Sequence, residues 1–134
     1  MQQVARAVAA ATDTVFGLMG NGNAALIREL ADLGIDLITV RHEDASVAAA
    51  DGFQRARGRH AVATTTYGPG FTNALTPLID AALSRSPLLL LVGSTAGVDH
   101  GALVAACGEQ VEQDVDAAEE YALRESAPVD VFLP

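Results

Sequence analysis

Residues 88–92 read Leu-Leu-Leu-Leu-Val, follow Pro87 and run into Gly93. Five apolar residues without alternation do not fit a strand with one wet face. A strand of that kind is buried on both sides, as in a parallel sheet covered by helices. Other short strand-like runs occur at 14–18, 36–40, 60–66 and 129–133. Segments with helical spacing lie between them, at 2–11, 24–33, 43–56, 72–83, 101–107 and 112–124. In the second of these, Leu26, Ile27, Leu30 and Leu33 recur on one helical face. Strands alternating with helices predict an α/β fold, an open and mostly parallel sheet of about five to six strands with helices on both faces. At 134 residues the chain has the length of one domain, 1–134, with a real core.

Charge narrows the class. The net charge is −9, and residues 99–134 hold nine acids against one Arg. The chain contains no Lys. Without a basic patch, nucleic acid is not an expected partner. No apolar run approaches ~18 residues, so no membrane span is expected. The Ala-rich start lacks the pattern of a signal peptide, and Cys107 stands alone. These features predict a cytoplasmic setting. The acidic stretch reads as a solvated face, and Cys107 as a small buried hydrophobe.

In parallel α/β sheets, ligands sit beyond the carboxyl ends of the strands. That rule nominates 19–23, 41–44 and 66–73. Glu43 falls where a strand gives way to a helix. A carboxylate there either caps the helix and complements its dipole, or is an acid buried for proton transfer. The small residues after it (Ala45, Ala48, Ala49, Ala50, Gly52) permit close packing of another backbone or of a cofactor. Gly68-Pro69-Gly70 makes a sharp turn with exposed backbone groups. Gly20-Asn21-Gly22-Asn23 lacks the spacing of a dinucleotide site, and no phosphate loop is present. His42, His60 and His100 are scattered, and with one Cys they form no metal-ligand pattern.

The ordered set Val15-Phe16-Gly17-Leu18-Met19-Gly20, Arg41-His42-Glu43, Ala49 to Gly58, Tyr67-Gly68-Pro69-Gly70-Phe71-Thr72-Asn73-Ala74 and Ser86-Pro87 resembles one family. It is the family of thiamine-diphosphate-dependent 2-keto-acid enzymes, which includes acetolactate synthase, benzoylformate decarboxylase and pyruvate oxidase. The likeness is to their N-terminal, pyrimidine-binding domain, with the acetolactate-synthase-like branch nearest. It runs closely over 1–97 and loosely over a shortened 98–134. The resemblance implies a role for Glu43, the glutamate that hydrogen-bonds the pyrimidine ring nitrogen and so activates the cofactor's amine. It implies that Met19 and Gly20 lie along the ring, with Met19 replacing a family proline. It places Thr66, Tyr67, Gly68, Gly70 and Asn73 at the cofactor edge, and Asn21 and Asn23 on the substrate side.

In this family a second domain holds the diphosphate and its Mg²⁺ through Gly-Asp-Gly and a downstream Asn. Gly-Asp-Gly is absent from this sequence, as is the family's middle domain. The resemblance therefore implies half of an active site for a small 2-keto acid. Such a half is inactive until a diphosphate-binding chain joins it, with homodimers or larger oligomers expected through the small-residue helix 43–56. The alternative is a non-catalytic oligomerisation or regulatory remnant of the same fold.

Overall fold

The computed structural model describes residues 1–108, 110–112 and 114–133. Thr14–Gly17 (β1), Asp36–Thr39 (β2), Ala61–Thr65 (β3), Leu88–Gly93 (β4), Gln110–Glu112 (β5) and Val129–Leu133 (β6) form one sheet in the order β2-β1-β3-β4-β6-β5. Every pairing is parallel. The chain moves from β1 to β2 on one side and then to β3 on the other. The strand order therefore reverses between β1 and β3, and a crevice opens at their carboxyl ends.

Helices cover both faces. Gln2–Ala11 (α1), Ala24–Asp32 (α2) and Val115–Glu125 (α7) bring Val8, Leu26, Leu30 and Ala118 against Val15, Val62, Leu89, Leu91 and Val131. Glu43–Arg57 (α3), Pro69–Thr72 (α4), Leu75–Leu83 (α5) and His100–Ala106 (α6) bring Val47, Phe71, Leu78 and Val104 against Phe16, Ala63, Leu88, Leu90 and Val92. Leu89 and Leu91 thus serve one core while Leu88, Leu90 and Val92 serve the other, as the two-residue period of a strand requires. That is why the apolar run at 88–92 has no polar member. All six residues of β4 are buried.

Two helical expectations are redrawn. The helix expected at 72–83 starts three residues later, as α5, and the residues before it form the short α4. Pro77 has no N–H to donate four residues back, so it is tolerated only in the first turn of a helix that begins at Leu75. The segment expected to start a helix at 112 instead gives β5, and α7 begins at Val115 behind an Asp114 cap whose carboxylate accepts from the Ala117 N–H at 2.9 Å. Cys107, expected to be buried, is half-exposed at the end of α6.

α3 is fixed at both ends. Glu43 and Asp44 occupy its first turn and Arg55 and Arg57 its last, matching the helix dipole, and Gly58 ends it with φ 62°. Asp51 is clamped by Arg55, with Nε at 2.9 Å and a second guanidinium nitrogen at 2.8 Å. Burial pushes the Asp51 carboxyl up, but the hydrogen bonds from Arg55 and Ser86 outweigh it and hold the group below its ordinary range.

Candidate functional site

Three loops meet at the point where the strand order reverses. After β1, Gly20 to Asn23 turn into α2. The Asn23 side chain organises that turn from a fully buried position. Its Oδ1 accepts from the Gly20 N–H at 2.8 Å, and its Nδ2 donates to the Leu18 carbonyl and to Thr64 Oγ1, both at 3.2 Å. Thr64 Oγ1 in turn donates to the Leu91 carbonyl at 2.9 Å. The turn is thereby tied to the ends of β1 and β3 and, through Thr64, to β4.

Thr66, directly after β3, is the hub of the loops. Its Oγ1 accepts from the Gly22 N–H at 3.0 Å. A Cβ built on Gly20 would fall 2.7 Å from the Thr66 Cβ, and one on Gly70 would fall 2.5 Å from its Cγ2. These approaches demand glycine at both positions. Gly68 begins α4 with φ 59°, which also favours glycine.

Glu43 opens α3 one residue after the cap, which is His42. Its carboxylate therefore does not cap the helix. It reaches across to the β3–α4 loop, where the Asn73 Nδ2 donates to Oε2 at 3.1 Å. Oε1 faces Gly70, 3.4 Å from where a Cβ would be. Among the described residues, no donor is paired with Oε1. The side chain is half-buried. A carboxylate with one oxygen anchored and the other open suits a ring nitrogen that shares a proton, and so fits an aminopyrimidine.

Other expected residues lie around this pair with different surroundings. Met19 is 62% exposed, an unusual setting for a large apolar side chain, beside Gly20. Asn21 is exposed, and Tyr67 is half-buried with its ring against Gly22. Asn23 spends its amide on the chain's own groups. Among the described residues, no three of His, Cys, Asp and Glu are grouped to hold a metal ion. Nothing described here fits the ligand set of a diphosphate-bound Mg²⁺. A groove of about 840 Å³ runs beside Asn73 between α3 and α5, lined by Ala45, Ala48, Thr76 and Pro77 among others.

Two contributors carry no local signal in the sequence. Thr64 is one of three consecutive threonines, and only the fold shows that its hydroxyl joins Asn23 to β4. His100 lies 32 residues from Gly68 yet accepts its N–H at 3.1 Å.

A family model described as "Thiamine pyrophosphate enzyme, N-terminal TPP binding domain" matches residues 1–120. Human 2-hydroxyacyl-CoA lyase 2 is 41% identical over 93 residues, covering 68% of this chain and 15% of that protein. The Escherichia coli K12 acetolactate synthase isozyme 3 large subunit is 42% identical over 83 residues, covering 61% of this chain and 14% of that subunit. The isozyme 2 large subunit from the same strain is 37% identical over 84 residues, covering 63% and 15%. The chain thus spans a small part of the length of these curated relatives. With the match running over most of its residues, it belongs to the thiamine pyrophosphate enzymes and corresponds to their N-terminal TPP-binding domain.

Proposed function

We propose that this chain supplies the pyrimidine-binding half of a thiamine-diphosphate-dependent lyase or transferase that acts on 2-keto acids. The observation that carries this reading is Glu43 held at Oε2 by Asn73 while Oε1 stays open beside Gly70. When bound, thiamine diphosphate supplies the carbon that adds to a keto-acid carbonyl. Glu43 holds and exchanges a proton at the pyrimidine ring nitrogen through Oε1. Asn73 fixes the direction of the carboxylate. Met19 and Gly20 pack along the ring, and the Thr66, Tyr67, Gly68 and Gly70 backbone bounds its edge. Asn21, exposed at the mouth, faces the substrate side. Asn23 acts on that side through the turn that carries Asn21, since its own amide is occupied.

The diphosphate and its Mg²⁺ belong to a partner chain in this reading. The groove of Ala45, Ala48, Thr76 and Pro77 offers small side chains for its close approach. The chain alone is inactive in this proposal, and its setting is the cytoplasm.

The test is complementation. The chain is co-expressed with the remainder of an acetolactate synthase large subunit that lacks its own N-terminal domain, with thiamine diphosphate and Mg²⁺ supplied. Acetolactate formation and 2-hydroxyacyl-CoA cleavage, the two reactions in the relatives' names, are assayed. Glu43→Gln keeps the assembly and lowers turnover by about 10²- to 10⁴-fold, the usual range for a proton-transfer group. Unchanged turnover in that variant removes the assignment.

A further inference from the structure

His100 opens α6, far from Glu43 in the chain, and is only 4% exposed. Its ring stacks on Phe132 of β6, with centroids 5.8 Å apart and planes at 26°. It also meets Phe71 of α4 edge-on at 5.1 Å. Stacked on one aromatic ring, met edge-on by a second and nearly buried, the ring is held in place. Its Nε2 receives the Gly68 N–H at 3.1 Å. An imidazole can accept there only when neutral and protonated on Nδ1.

Gly68 is the residue on which the neighbouring turn pivots. Its carbonyl accepts from Phe71 and Thr72 at 3.0 and 2.9 Å, which starts α4. Gly70 then packs on Thr66 beside Glu43 Oε1, and Asn73 follows one residue after α4 to hold Oε2. The backbone N–H of Gly68 is therefore the first fixed point of the segment that orients the Glu43 carboxylate.

We propose that His100 is a positioning residue: its neutral ring latches the Gly68 N–H and so sets the turn 68–73 against Glu43. The effect on cofactor binding rests on the reading that Glu43 meets the pyrimidine ring. The latch itself does not. Burial lowers the proton affinity of His100, and Asp99, the charged neighbour at the cap of α6, works against that. The other groups packed on the ring (Gly68, Phe71 and Phe132) carry no charge. Protonation would set an N–H against the Gly68 N–H and open the latch.

Amide exchange of Gly68, read by NMR in the full chain, tests this without cofactor. His100→Phe keeps the aromatic packing and removes the acceptor, so Gly68 exchange accelerates on the order of tenfold at pH 7. His100→Gln offers an amide oxygen near the place of Nε2 and restores most of the protection. In the unsubstituted chain, the Gly68 amide shift titrates with the same midpoint as the His100 ring, a readout that survives if a variant does not fold. Unchanged exchange in His100→Phe, or separate midpoints in the unsubstituted chain, overturns the latch. In the complemented enzyme, His100→Phe raises KM for thiamine diphosphate more than it lowers kcat. If the complemented, unsubstituted enzyme takes up no cofactor while the exchange results hold, the cofactor reading fails and the latch stands.

Discussion

Gly22 and Gly93 pass so closely that a Cβ built on Gly93 would lie 2.6 Å from the Gly22 Cα and 2.8 Å from its carbonyl carbon. Both obstacles are backbone, so no side chain can move aside. The contact seats the turn after β1 on the end of β4 and fixes how high the Gly20 to Asn23 loop stands above the sheet. Gly93→Ala should cost about 1–3 kcal/mol through overpacking and shift the amide signals of Gly20 and Gly22. Gly52→Ala provides the opposite sign. Its position in α3 has open space around a Cβ, so alanine should stabilise by about 0.5–1 kcal/mol through helix propensity and a stiffer unfolded chain. Thermal unfolding of the two variants checks both signs.

Asn23 has three hydrogen bonds to lose. Asn23→Ala leaves the Leu18 carbonyl and the Gly20 N–H, both part-buried, and the buried Thr64 hydroxyl without that partner. A loss of about 2–4 kcal/mol is expected, from one to three kcal/mol for each unsatisfied buried group after partial relaxation. Urea unfolding measures it. A loss below about 0.5 kcal/mol would show that water takes over these bonds and that the amide is available for another task.

Much of the fold was legible because the central strands are strict. At 61–65 and 88–93 both faces are buried, and the apolar runs Ala61 to Ala63 and Leu88 to Val92 mark the strands. Gln110–Glu112 gives no strand signal in the sequence because it borders only β6 and reads polar-apolar-polar over three residues. No periodicity can be counted over so short a run. In the site, Glu43, Gly20 and Gly70 stood out through order and spacing. The bond from Gly68 to His100 and that from Asn23 to Thr64 span 32 and 41 residues. Such pairings depend on strand order, which local pattern does not encode.

Asn73 separates a structural from a functional role. Its side chain is exposed and its bond to Glu43 lies at the surface. Asn73→Ala should therefore change stability by less than about 0.5 kcal/mol. If Asn73 aims the carboxylate at the ring nitrogen, the same variant should weaken thiamine diphosphate binding in the complemented enzyme about tenfold, the value of one charge-assisted hydrogen bond. Calorimetric titration with the cofactor, paired with thermal unfolding of the free chain, reads the two effects apart. Equal affinity in variant and unsubstituted protein would place Asn73 outside the binding machinery.

His60, which precedes β3, gives the chain a pH dependence that can be assigned to a residue. Its side chain is 8% exposed, and its Nε2 lies 3.5 Å from Glu119 Oε1 of α7. Burial lowers the imidazole below the ordinary 6.5, and the Glu119 charge opposes this. The unfolded chain takes up the proton near 6.5, whereas the folded chain resists until lower pH. Between those two values the unfolded state binds more protons, so stability rises with pH and is lost as pH falls. His100 acts with the same sign. The slope is at most about 1.4 kcal/mol per pH unit for each proton. Asp51 does not share the window, because its lowered carboxyl draws on stability only below 3.8. Urea midpoints should therefore fall from pH 7 to pH 5, and His60→Gln should flatten part of that fall. Glu119→Gln removes the opposing charge, so the NMR midpoint of His60 should move further down. A midpoint that rises in Glu119→Gln would remove Glu119 as the opposing charge, and urea midpoints that stay level from pH 7 to pH 5 would show that burial does not govern this ring.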